Sequence, residues 1–334
     1  MKFSSLFFKR CNYVNLIREK KAFATGFFAL TVALVLLLSL SNGSAQGTSY
    51  VIIDNQTGHI FSSKDMNVRR QIGSLTKIAT AVVVLDAVQL KKLRLSDRVT
   101  VPPQALSAGG VNPAGLEAGD VLSLRDLLYC ALMASDNVAA TAIAYHVGRI
   151  LPNPTGLPPV ENFVAHMNAL ARNLRMRRTL FLNPSGIDNT QGTLPYSTAA
   201  DVARLVRYAY TDPDFYFYVS QKSRVVDIER AGQMISVTLN NTNRLLGQRG
   251  IDGVKTGMTS KSGYCIVLSS WRPPEVVKMG DSVVQTPRRI IAVLLGANSS
   301  EERFSQGSML IQTGWRMYDE WALSGRSVKE KNTL

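Results

Sequence analysis

Ser74 and Lys77 stand three residues apart in Gly73-Ser74-Leu75-Thr76-Lys77, at the head of an apolar run. In a helical turn that spacing puts both side chains on one face, within reach of one another. A serine hydroxyl becomes a nucleophile when a base takes its proton, and a desolvated or cation-flanked lysine is neutral enough to be that base. Ser135-Asp136-Asn137 follows 61 residues after Ser74, between two apolar helical runs. A loop there would turn the Ser135 hydroxyl and the Asn137 amide into a cleft. Lys255-Thr256-Gly257 comes 120 residues after Ser135. On an edge strand it would offer a cation and a hydroxyl to a carboxylate, with a glycine that lets another backbone come close. Each motif alone has a plainer reading: a helix start with a solvated lysine, an ordinary helix cap, and a turn with Gly257 at positive φ.

The elements that must position these groups follow from periodicity and turn chemistry. Tyr50 to Asp54 and Ile60 to Ser62 flank Asn55-Gln56-Thr57-Gly58, which reads as a β-hairpin. Ile78, Val82, Leu85 and Val88 recur at helical spacing, so a core-facing helix is predicted from about Gly73. Leu124 to Met133, Asn137 to Val147, Val160 to Leu174 and Ala199 to Tyr210 also read as helices, the last with a Thr198/Asp201 capping box. Strands are predicted at Arg224 to Ile228, Met234 to Leu239, Gly263 to Ser269 and Arg289 to Leu295, then a helix from about Glu301 to Trp321. Strands at both ends with helices between predict one α/β (α+β) domain, an antiparallel sheet flanked by helices with an all-helical insertion. The Trp271 to Arg288 connection, with Pro273-Pro274, reads as a surface excursion, and the polar end after the last helix as a frayed tail.

The chain has 334 residues and a formal charge of +14. Much of that excess sits in Lys2, Lys9, Arg10, Arg18, Lys20 and Lys21. Ala22 to Leu40 is uncharged and mostly apolar, and Ser41-Asn42-Gly43-Ser44-Ala45 follows. Basic flank, apolar core and small residues in that order predict a signal peptide cleaved after Ala45; the alternative is an uncleaved membrane anchor. With residues 1–45 set aside, 32 basic and 23 acidic side chains remain, for a formal charge of +9. The predicted organisation is a signal at 1–45, a catalytic domain at 46–323 and a polar tail at 324–334. Export to a periplasm or cell envelope leaves no role for nucleic acid. His59, His146 and His166 show no metal-ligand spacing.

Taken together, Ser74-x-x-Lys77, Ser135-Asp136-Asn137 and Lys255-Thr256-Gly257 are the signature of penicillin-binding proteins and class A β-lactamases. The chain resembles the low-molecular-mass penicillin-binding proteins, serine-type D-Ala-D-Ala carboxypeptidases, over about Ser49 to Trp321. Further support comes from Val51-Ile52-Ile53-Asp54, Tyr196-Ser197-Thr198-Ala199-Ala200-Asp201, Asn241-Thr242-Asn243-Arg244-Leu245-Leu246 and Gly263-Tyr264. The resemblance implies that Ser74 attacks the bond between terminal D-alanines of peptidoglycan stem peptides, with Lys77 as base and Ser135 as proton relay. It implies that Asn137 holds Lys77 and the substrate amide, and that Lys255, Thr256 and Arg303 receive the terminal carboxylate. Gly257 gives close approach, and the N–H groups of Ser74 and Met258 form the oxyanion hole. No metal or organic cofactor is implied, and β-lactams are implied as covalent inhibitors.

Two departures stand out: Ser185 in Asn183-Pro184-Ser185-Gly186, where the family often has histidine, and Asp136, where many members have glycine. Three other functions compete with the carboxypeptidase reading. A D,D-endopeptidase would use the same acyl-serine. A class A β-lactamase needs a deacylating glutamate, yet Thr179-Leu180-Phe181-Leu182-Asn183 contains no acid. A non-catalytic wall-binding protein or β-lactam sensor would not require all of Ser74, Lys77, Ser135 and Lys255. Cys130 and Cys265, both in apolar surroundings, are expected as buried free thiols rather than a bridge. Arg172, Arg175, Arg177 and Arg178 cluster at a helix end, where a solvated face competes with attraction to anionic lipids or wall polymers.

Overall fold

The computed structural model describes residues 47–188, 192–279 and 282–334. The predicted signal and its cleavage point lie outside them. Two strands open the chain, β1 (Ser49–Asp54) and β2 (Ile60–Lys64). A 3₁₀ turn, Gly73–Thr76, leads into α1 (Lys77–Gln89). After β3 (Arg98–Thr100), α2 (Pro103–Ser107) and β4 (Val121–Ser123) come five helices. These are α3 (Leu124–Leu132), α4 (Asn137–Gly148), α5 (Pro159–Asn173), α6 (Ala199–Ala209) and α7 (Pro213–Ser220). The chain then runs through β5 (Ser223–Arg230), β6 (Gln233–Asn240), β7 (Ile251–Thr259), β8 (Gly263–Met279) and β9 (Ser282–Ala297) into α8 (Ser300–Leu323).

The main sheet has the order β2-β1-β9-β8-β7, with every neighbouring pair antiparallel. Both of its faces are buried, which is why its central strands read as unbroken apolar runs instead of alternating ones. Ile52, Ile266, Leu268, Ile290, Ala292 and Leu294 pack under α8 with Ile311, Trp315 and Tyr318. The intervening residues Val51, Ile53, Val267, Ile291, Val293 and Leu295 join the larger core built from the other helices. Helix α8 lies close because Gly314 has no side chain: a Cβ there would meet Ile52 and Ile290 at 2.8 Å. The α/β class, the antiparallel sheet and its helical cover agree with the sequence-based expectation.

Three expectations are corrected. Helix α1 does not present one apolar face. It is buried nearly all round, as a helix running through the interior must be. The Trp271 to Arg288 segment is not a loop, because β8 and β9 stay paired from Trp271↔Arg289 to Met279↔Ser282. Pro273 and Pro274 fall in the irregularity between Arg272 and Glu275, where the ladder tolerates the missing N–H groups. The end of the chain is docked rather than frayed. The Trp321 indole donates to Ser327 O at 2.9 Å, Thr333 bridges His59, and the Leu334 N–H donates to Gly58 O at 3.1 Å. Sequence reading also missed the small sheet β3-β4-β5-β6, whose first two strands are three residues each.

No helix among the described residues is long and apolar enough to cross a membrane.

Candidate active site

Ser74 sits in the 3₁₀ turn that opens α1, and Lys77 is the first residue of the α-helix proper. Lys77 is fully buried. Its Nζ lies 2.9 Å from Ser74 Oγ, 2.6 Å from Asn137 Oδ1 and 2.9 Å from Ser185 O. A neutral amine has two N–H donors and one lone pair. Asn137 Oδ1 and Ser185 O can only accept, so they take both N–H groups and leave the lone pair facing the Ser74 hydroxyl. Burial favours that neutral form, lowering the Lys77 pKa to about 7, with the nearby Asp136 charge opposing.

Asp136 and Asn137 divide the second motif between structure and chemistry. Asp136 caps α4: its two oxygens accept from Ala139 N at 2.9 Å and Ala114 N at 3.1 Å. Burial raises its pKa, and these backbone bonds oppose the rise. Asn137 donates its own N–H to Val111 O, at 2.9 Å, and its amide nitrogen to Gly109 O, at 3.3 Å, which aims Oδ1 at Lys77. Ser135, directly before them, has a left-handed backbone with φ of 66°. The capping reading and the active-site reading of this motif are thus both satisfied, by different residues.

The third motif lies on β7, at the edge of the main sheet. Its neighbour on the open side is the Ser74 turn. A Cβ at Gly257 would lie 2.6 Å from Ile72 O, and one at Gly73 would lie 3.1 Å from Met258 N. Glycine at 257 is therefore demanded by close approach, not by a turn. Lys255 is buried and donates to Thr256 O at 2.9 Å. Burial, reinforced by the positive charges of Lys77 and Arg303, pushes its pKa well below the ordinary lysine value. Arg303, on α8, donates to Gly257 O at 3.3 Å and lies 4.6 Å from the Phe304 ring centroid.

Two contributors were not recognisable as such from sequence. The first is the Ser185 carbonyl, since a main-chain oxygen leaves no residue-type signature. Its placement comes from Asn183, whose Oδ1 accepts from Ser185 N at 3.2 Å and Gly186 N at 2.7 Å. A Cβ on Gly186 would meet Gly73 O at 1.9 Å, so the loop presses directly on the nucleophile turn. The Asn-Pro-x-Gly spacing is the available signal, because asparagine and glycine build such turns. The second is Asn241-Thr242-Asn243, which ties the motifs together. Thr242 N donates to Met133 O at 3.1 Å, its hydroxyl accepts from Thr256 Oγ1 at 2.7 Å, and Asn243 Nδ2 donates to Gly253 O at 3.0 Å.

Cys130 and Cys265 are free and buried. Burial raises both thiols, Cys265 to about 11. They are filling groups rather than reactive ones.

A fold of this topology with a serine–lysine pair between helix and sheet is that of an active-serine peptidase. The chain belongs to the S11 peptidase family, D-alanyl-D-alanine carboxypeptidase, whose profile matches residues 39–298. It is 29% identical over 283 residues to D-alanyl-D-alanine carboxypeptidase DacF of Bacillus subtilis, covering 84% of this chain and 65% of that protein. Likeness to DacC of Escherichia coli is also 29%, over 83% of this chain and 63% of the relative. The chain thus spans a little under two thirds of the length of these two curated relatives. A D-alanyl-D-alanine endopeptidase of Pseudomonas aeruginosa is 31% identical, with 70% of this chain and 69% of that protein aligned. Among solved structures, the DD-transpeptidase of Streptomyces K15 superposes with a TM-score of 0.68 at 29% identity, covering 80% of this chain and 96% of that one.

Proposed function

We propose that the chain is an exported serine D,D-carboxypeptidase that removes the terminal D-alanine of peptidoglycan stem peptides through an acyl-Ser74 intermediate. The observation that carries this reading is the Lys77 amine, whose two N–H groups have acceptors and whose third partner is Ser74 Oγ at 2.9 Å. Ser74 Oγ attacks the carbonyl between the two D-alanines as its proton passes to Lys77 Nζ. The N–H groups of Ser74 and Met258 receive the oxyanion, each such donor being worth about 3–4 kcal/mol in other enzymes. Ser135 passes a proton to the leaving amine, and water then releases the shortened peptide from Ser74.

Lys255, Thr256 and Arg303 receive the terminal carboxylate. Lys255 is held short of protons by burial and by its cationic neighbours, and an arriving carboxylate reverses that balance. Asn137 keeps Lys77 in place and lies beside the path of the substrate's amide. Export rests on the order of charge, apolar core and small residues before Ser49.

The Pseudomonas aeruginosa relative named as an endopeptidase supports a second reading, cleavage of D,D-crosslinks by the same acyl-serine. Incubation with monomeric and crosslinked muropeptides separates the two. Release of D-alanine from the monomer, absent in Ser74→Ala, is expected. Cleavage confined to crosslinked material would replace carboxypeptidase by endopeptidase. Release persisting in Ser74→Ala would overturn the acyl-serine account.

A further inference from the structure

A second concentration of charge lies at the far end of α1. A cavity of ≈ 640 Å³ is lined by Arg175, Arg177, Arg204 and Arg207, together with Asn55 and Gln56 of the β1–β2 turn. No Asp or Glu side chain lines it among the described residues. Tyr208, also in its wall, donates to Asp86 at 3.1 Å. Asp86 lies 12 residues beyond Ser74 along the same helix, about 18 Å at the helical rise, so this is not the acyl-serine cleft.

The four arginines are held differently. Arg207 donates to Asn55 O and Gln56 O, both at 3.0 Å, which fixes the turn against α6. Arg204 pairs with Asp201 at 2.8 Å, but that carboxylate also accepts from Arg178 N at 3.0 Å and Thr179 Oγ1 at 2.9 Å. Arg175 and Arg177 form no ion pair among the described residues.

Arg175 is also in the wrong place for its backbone. Its φ is 57°, and it ends α5 in a Schellman turn, with Met176 N bonded to Ala171 O at 2.8 Å and Arg175 N to Arg172 O at 3.0 Å. Glycine adopts that conformation freely, whereas a side-chain-bearing residue is strained there. An arginine kept at a glycine position points to use of its side chain.

We propose that this cavity binds a phosphate-bearing anion. Guanidinium forks match the paired oxygens of phosphate, and several converging on one space favour a multiply charged ligand over a single carboxylate. The volume admits more than one phosphate group. A concave wall suits a soluble phosphate or phosphodiester chain better than a flat bilayer surface. Bound to such a ligand, the protein would be held by one end of α1 while Ser74, at the other end, stays open to peptide.

The test is calorimetric titration of the full-length chain with inorganic pyrophosphate at low ionic strength, repeated in excess chloride. The double variant Arg175→Gly/Arg177→Gln should bind at least about tenfold more weakly, since charge-assisted hydrogen bonds are among the stronger kinds. Its D-alanine release should be unchanged, and Arg175→Lys/Arg177→Lys should retain part of the affinity. Arg175→Gly alone should melt at or above the wild-type temperature. Equal affinity of wild type and the Gly/Gln variant would overturn the proposal. So would a lower melting temperature for Arg175→Gly, which would assign the side chain to the helix end. Binding to anionic vesicles with none to pyrophosphate would also overturn it, in favour of a membrane surface.

Discussion

The two walls of the cleft each bury a lysine, and the two lysines have been given opposite surroundings. On the helical side, Lys77 meets two oxygens that only accept and one hydroxyl that can donate. On the sheet side, Lys255 meets one carbonyl, that of its neighbour Thr256, and feels the positive charges of Lys77 and Arg303. Burial lowers both pKa values. What differs is the vacancy left over: beside Lys77 it suits a proton, beside Lys255 an anion. A residue type alone therefore does not state a task. The partners that the backbone supplies decide whether a buried amine removes protons or receives carboxylates.

Substituting each lysine by methionine is the harshest way to break that comparison. Lys77→Met should lower the acylation rate by about 10²–10⁴-fold, the usual worth of a positioned general base, with little change in KM. Lys255→Met should act mainly on KM, by about 10–100-fold, as expected for loss of a charged hydrogen bond to substrate. If both variants moved the same kinetic parameter, the assigned division would be wrong. Lys77 also carries a stability signature. Its pKa is about 7 folded against 10.5 for the model side chain, so the unfolded chain binds more protons between those values. Stability from this group therefore rises with pH across that window, and Lys77→Met should flatten the rise in denaturation midpoints.

A milder probe moves one wall against the other. Gly257→Ala places a methyl 2.6 Å from Ile72 O, so β7 must retreat from the Ser74 turn. Overpacking of this kind costs about 1–3 kcal/mol. Both the melting temperature and the acylation rate should fall; a drop in melting temperature with full activity would show that the spacing between the walls is not critical.

Thr242→Val removes only the hydroxyl that accepts from Thr256. It should raise KM about 3–10-fold and spare kcat, as expected for one neutral hydrogen bond. A selective fall in kcat would move Thr242 from the carboxylate side to the proton path.

How much of this was legible in sequence depends on whether the information sits in side chains or in the main chain. The three motifs were readable because Ser74, Lys77, Asn137 and Lys255 act through their side chains. Strand β9 was readable over Arg289 to Leu295 because burial on both faces makes an apolar run, Ile290 to Leu295. The Ser185 oxygen was not, since any residue has a carbonyl and only Asn183 aims this one. Extension of β8 and β9 beyond Trp271 was hidden by Pro273-Pro274, which break a ladder except at an irregularity. Strands β3 and β4 are too short to show alternation and exist through pairing with each other and with β5. The docked end of the chain depends on His59, Gly58 and Glu275, all distant in sequence.

The central claim is that neutral Lys77 takes the Ser74 proton. Its most direct test is the rate of Ser74 acylation by a chromogenic β-lactam as a function of pH, with the adduct located by mass spectrometry. The account predicts a rate that falls as pH drops through about 7, where Lys77 becomes protonated, with the inflection lost in Lys77→Met. A wild-type profile that stays flat through that pH, or an inflection that survives in Lys77→Met, would contradict it.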